Sequence, residues 1–89
     1  MDNRIIAEHL RRHAQQLDAE GGNLYRVRAY RHAADIVVEL AEPVSRVFER
    51  DGRRGLQALP GVGSHIARTI ESLLLTGETP PRVEMPVAC

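Results

Sequence analysis

The 89-residue sequence contains no lysine; all twelve of its basic residues are arginine. Arginine stays protonated at any working pH, so no side chain here can act as an amine nucleophile. Tryptophan is absent as well, and Cys89 is the only cysteine. No disulfide can close within one chain, and this usage fits a reducing cytoplasm, where the protein is expected to reside. No apolar run approaches the length of a membrane span, and the first residues do not read as a signal peptide, so no membrane partner is expected. Strand signals, internal repeats and low-complexity runs are missing throughout. Net charge is missing too, since twelve acids balance the twelve bases.

What is present is helical periodicity. The hydrophobic fraction is 43%, enough for a small folded domain. Residues 3–20 read as a first helix, with Ile6, Leu10, Ala14 and Leu17 in a stripe, Ile5 and His13 beside it, and Asp2 or Asn3 as its cap. Asn23 caps a second helix over 24–41, with Val27, Tyr30, Ala34, Val37 and Ala41 along one side. Pro43 suits the first turn of a third helix over 43–51. A short fourth covers 54–58, after a turn bracketed by Gly52 and Gly55. The last runs to Thr76, with Ser64 as its cap and Gly77 as its stop. The expected fold is all-α, a compact four- to five-helix domain over residues 1–78. Residues 79–89 hold three prolines and are expected to be a disordered tail. His9 and His13 stand one helical turn apart, but no third ligand is evident, so no metal site is expected there.

The stretch Leu59-Pro60-Gly61-Val62-Gly63-Ser64-His65-Ile66-Ala67 organises the rest. Pro60 fixes its own φ, while Gly61 and Gly63 allow backbone angles and close approaches that side chains forbid. A tight turn leading into a helix leaves unpaired amides pointing outward, which is a ready anion site. No acid lies between Gly52 and Ile70, so a nucleic-acid phosphate is the natural anion. Residues 24–33 are free of acids too, and they interleave Arg26, Arg28 and Arg31 with Tyr25 and Tyr30. Arginines pair with phosphates, and neighbouring rings stack on bases. Tyr30 reads equally well as a core residue. The segment between the two basic blocks is acidic, so a neutral chain carries a polarised surface.

Apolar-Pro-Gly-Val-Gly between two helical patterns resembles the helix-hairpin-helix motif, a binder of DNA backbone without sequence specificity. Residues 23–34 and 56–67, together with Glu71-Ser72-Leu73-Leu74-Leu75-Thr76-Gly77, resemble the N-terminal domain of family X DNA polymerases, bacterial members above all. The likeness covers about residues 3–78 and places the hairpin unit at about 53–76. It implies a module of DNA repair that holds DNA at a gap or nick and has a pocket for the 5′-phosphate. By this resemblance Arg26 and Tyr30 contact that phosphate, His65 contacts a further one, and Tyr25 stacks on a base. The amides of Gly61, Gly63 and His65 face a phosphate. The backbone carbonyls of Gln57, Leu59 and Val62 hold a monovalent cation, Na+ or K+. No other cofactor is implied.

One departure removes the family's chemistry. Members with lyase activity have a Lys in the last helix that forms a Schiff base; the matching position here is Thr69. Nor does a polymerase domain follow, so nucleotide transfer is not expected. The leading expectation is a non-enzymatic DNA-binding module in which Arg26, Tyr30, His65 and Arg68 shape the end pocket. Two alternatives stand beside it. One is a protein-interaction domain that keeps the fold and uses the acidic 35–51 segment. The other is a lyase that uses some other nucleophile, for which the Met1 α-amino group is the only primary amine.

Overall fold

The computed structural model describes residues 2–77. Four helices follow one another: α1 (Asn3–Ala19), α2 (Leu24–Glu39), α3 (Val44–Gln57) and α4 (Ser64–Thr76). The fold is all-α, as the periodicity requires. No described helix is long and apolar enough to cross a membrane. The proposed tail, residues 79–89, lies outside the described residues.

Each helix buries the stripe its sequence lays down. Ile6, Ala7, Leu10 and Ala14 of α1 meet Val27, Tyr30, Ala33, Ala34 and Val37 of α2 in the core. The short connection between these helices favours antiparallel packing. Two ion pairs confirm that direction, since Arg11 meets Asp35 at 2.9 Å and Asp18 meets Arg31 at 3.9 Å. Leu56, Ile66, Ala67, Ile70 and Leu73 close the core from α3 and α4. Surface ion pairs of this kind contribute little stability; the buried stripes contribute most of it.

The helix ends differ from the sequence reading in instructive ways. Asp2 caps α1, its carboxylate accepting the Ile5 amide at 3.0 Å. Asn3, the other candidate cap, does something else. Its side-chain amide donates to the Glu42 carbonyl at 3.0 Å, and its oxygen accepts the Val44 amide at 2.7 Å. It thereby satisfies the first amide of α3 from across the fold. Helix α2 stops at Glu39 rather than Ala41, with Leu40 already extended (φ −63°, ψ 141°). Pro43 disfavours helical geometry at Glu42, so α2 cannot run on into α3. Pro43 itself stands outside α3, in the N-cap position with ψ 136°.

The two helices expected over 43–51 and 54–58 form one segment broken at Gly52 (φ 66°, ψ −157°). Only glycine adopts that conformation readily. At the far end, Gly77 is left-handed (φ 79°) and stops α4, its amide donating to the Leu73 carbonyl at 2.8 Å.

Candidate functional site

The hairpin is a tight turn. The Val62 amide donates to the Leu59 carbonyl at 3.1 Å across Pro60 and Gly61. Gly61 has φ 77°. Pro at the second position and a positive-φ Gly at the third define a type II turn. A second constraint acts on Gly61. A β-carbon there would lie 2.8 Å from Nε2 of His32 and closer still to Cδ2. The imidazole of α2 covers the α-carbon of the turn.

Gly63 behaves differently. Its angles (φ −87°, ψ −176°) are open to any residue. The expectation that it needs glycine for its backbone is therefore corrected. A β-carbon at Gly63 would meet nothing within 4 Å, so this glycine keeps the space before α4 open. Gly63, not Ser64, occupies the N-cap of α4, and no side chain caps that helix. Ala67 is the first residue to bond back, to the Gly63 carbonyl at 2.9 Å. The amides of Ser64, His65 and Ile66 consequently have no acceptor among the described residues.

The same residues line a pocket of about 310 Å³ together with Asn23, Tyr25, Arg26, Ala29, Gly61 and Gly63. The first turns of two helices, α2 and α4, border the same space. No acid lines it. Helix N-termini carry partial positive charge, and Arg26 adds a full one. Neither Arg26 nor Arg68 takes part in an ion pair among the described residues, whereas Arg11, Arg31, Arg50 and Arg53 are tied to Asp35, Asp18, Glu42 and Glu71 respectively. The local charge falls on His65 as well. Partial burial, then the charges of Arg26 and Arg68, hold its imidazole below the ordinary value of 6.5. An anion that offsets the two arginines would favour the protonated ring.

Of the sequence-derived site residues, Tyr25, Arg26, Gly61, Gly63 and His65 meet at this pocket. Tyr25 is 82% exposed at its rim. Arg68 sits one turn along α4, exposed and close enough for its charge to act on His65. Tyr30 departs from expectation. It has no accessible surface, so it lies beneath the pocket and not in contact with its contents. The Tyr30 hydroxyl is 2.8 Å from Thr69 Oγ1, and Thr69 donates to the His65 carbonyl at 3.3 Å. Thr69 has one proton to give, so the Tyr30 hydroxyl is the donor in their pair. Burial pushes the Tyr30 phenol up from its ordinary range, against the opposing influence of Thr69 and Arg26. Its ring stands edge-on to His65 at 6.0 Å and tilted against His13 at 4.5 Å. His13 thus faces the core, not a shared site with His9.

Asn23, Ala29, Ser64 and Ile66 complete the pocket lining. Asn23 and Ser64 are visible in the sequence as cap residues, but their convergence is not. The carbonyls proposed for a cation are partly available. Leu59 accepts the Val62 amide, while those of Gln57 and Val62 accept no backbone bond among the described residues.

Comparison with known proteins agrees with this fold. A family model described as a helix-hairpin-helix domain matches residues 1–79. Comparison with curated proteins found no match.

Proposed function

The chain belongs to the helix-hairpin-helix domain family, and from that premise we propose that it is a non-enzymatic DNA-binding module for gaps and nicks bearing a 5′-phosphate. Helix-hairpin-helix domains commonly bind nucleic acid. The observation that carries the finer reading is the acid-free pocket where two helix N-termini and Arg26 converge. A terminal phosphate carries more charge than a bridging one, and it would use the Ser64 and His65 amides together with the Arg26 guanidinium. Tyr25, exposed at the rim, would stack on the base beside the gap. The hairpin would grip the backbone without reading sequence. The carbonyls of Gln57, Leu59 and Val62 would hold Na+ or K+, which neutralises a further phosphate oxygen.

The resemblance to family X polymerases supports a place in DNA repair. The Tyr30–Thr69 pair supports the non-enzymatic part of the reading. By that resemblance Thr69 stands where lyase members have their nucleophile, and it is buried at 3% exposure with its oxygen already bonded.

Fluorescence-anisotropy titration of a short gapped duplex, with and without the 5′-phosphate and over a salt series, tests the reading. Tighter binding to the phosphorylated gap supports it. Equal binding to both leaves only a grip on backbone. No binding at low salt removes DNA as the ligand and turns attention to the acidic 35–51 segment as a protein-binding surface.

A further inference from the structure

We propose that His32 is a nucleic-acid contact of the hairpin, its imidazole donating a hydrogen bond to the backbone phosphate next to the one held by the turn. The inference rests on the DNA-binding reading above and adds a residue to which the sequence reading gives no role and which the pocket lining does not contain.

Three observations carry it. First, position: the ring lies against the α-carbon of Gly61, so closely that a β-carbon there would fall inside it. A phosphate held by the Gly61 and Gly63 amides would therefore lie beside this ring. Second, availability: His32 is exposed, and neither ring nitrogen has a hydrogen-bond partner among the described residues. Third, surroundings: residues 52–70, which carry the turn and the first half of α4, contain no acid that would compete for its N–H, and Glu71 beyond them is held by Arg53. On its own helix, Asp35 stands one turn on but is held by Arg11 at 2.9 Å, and Arg28 stands one turn back. Helical spacing puts Tyr25, Ala29 and His32 along one side of α2. Tyr25 and Ala29 line the pocket. The stripe runs from the pocket rim to the turn, the direction a strand would follow between them.

Packing against Gly61 and donation to a phosphate are separable. His32→Phe keeps a ring over the turn and removes both nitrogens, whereas His32→Gln keeps an N–H donor. Thermal melting checks that each variant folds. On a gapped duplex at low salt, His32→Phe is expected to bind about tenfold more weakly, the factor for one hydrogen bond to a charged group. The loss should be the same with and without the 5′-phosphate, because the contact belongs to the hairpin. His32→Gln is expected to stay within about threefold of the parent.

A Phe variant that binds like the parent overturns the proposal while leaving the DNA-binding reading intact. Equal losses in folded Phe and Gln variants also overturn it, because ring shape would then be the cause. A parent chain that binds no DNA overturns both. Should the Phe variant not fold, NMR of the unmodified chain decides. The His32 imidazole resonances are expected to shift on adding the duplex, and unmoved resonances defeat the proposal.

Discussion

Tyr30 and Thr69 are joined by a buried hydrogen bond of 2.8 Å across thirty-nine residues of sequence. The bond links α2 to α4 directly beneath the pocket, and Thr69 passes it on to the carbonyl of His65. Tyr30 is thus a positioning residue, setting the floor on which His65 stands. Tyr30→Phe removes the hydroxyl and is expected to destabilise the fold by about 1–2 kcal/mol. For a domain of this size each kcal/mol lowers Tm by about 4–8 °C. Thr69→Val should cost a similar amount, and the double variant less than the sum, because both remove one bond. Strict additivity in the melting data would deny the coupling.

The two glycines of the hairpin are expected to respond oppositely. Gly61→Ala places a side chain at φ 77° and against His32, so it should lower stability by more than about 1 kcal/mol. Gly63→Ala has ordinary angles and open space. It should lower Tm less than Gly61→Ala, by the modest cost of alanine at an N-cap, yet weaken DNA binding, because the new methyl occupies the approach to the α4 amides. Denaturation and anisotropy on the same two variants separate the effects.

Arg26 is exposed and makes no ion pair among the described residues, so Arg26→Ala should not alter folding. It is expected to cost about 1–3 kcal/mol of binding to a 5′-phosphorylated gap and much less on a 5′-hydroxyl gap. Titration of both substrates measures the difference. A uniform loss would move Arg26 out of the end pocket and into general backbone attraction.

Acidification should act on stability and on binding with opposite signs through His65. Its folded value lies below the ordinary 6.5, so between the two values the unfolded chain binds more protons. The stability it contributes is present above 6.5 and is lost as pH falls through the folded value. A bound phosphate offsets Arg26 and Arg68 and favours the imidazolium, so DNA affinity should rise over the same interval. Melts and titrations from about pH 5 to 8, compared with His65→Asn, isolate this group. Parallel trends in both would contradict the assignment.

Much of the fold was legible because helical stripes and stop signals are local. The buried residues of α1 and α2 follow their spacing, and Gly77 ends α4 as its position implies. The turn at Leu59–Val62 was legible for the same reason, since Pro and Gly each permit few conformations. The α4 cap was not. Ser64 is the better capping residue, but the turn brings the chain into helix one residue earlier, at Gly63. Tyr30 was ambiguous because a ring on a helix faces core or pocket according to what lies opposite. That partner, Thr69, is thirty-nine positions away. His32 carried no local signal at all. Its closeness to Gly61 exists only once α2 and the hairpin are packed together.

Asn3 closes the molecule in a way that bears on how it can be dissected. Helix α3 lacks a side-chain cap of its own and takes its first partner from the second described residue of the chain's opening segment, forty-one positions earlier. A fragment beginning after α1 would carry the hairpin yet leave the Val44 amide and the Glu42 carbonyl without that partner. The hairpin-bearing half therefore depends on α1 for the contact that satisfies the start of α3. Loosening the amino-terminal end should be felt at the opposite end of the sequence, as a shared loss of hydrogen-exchange protection and not as local fraying.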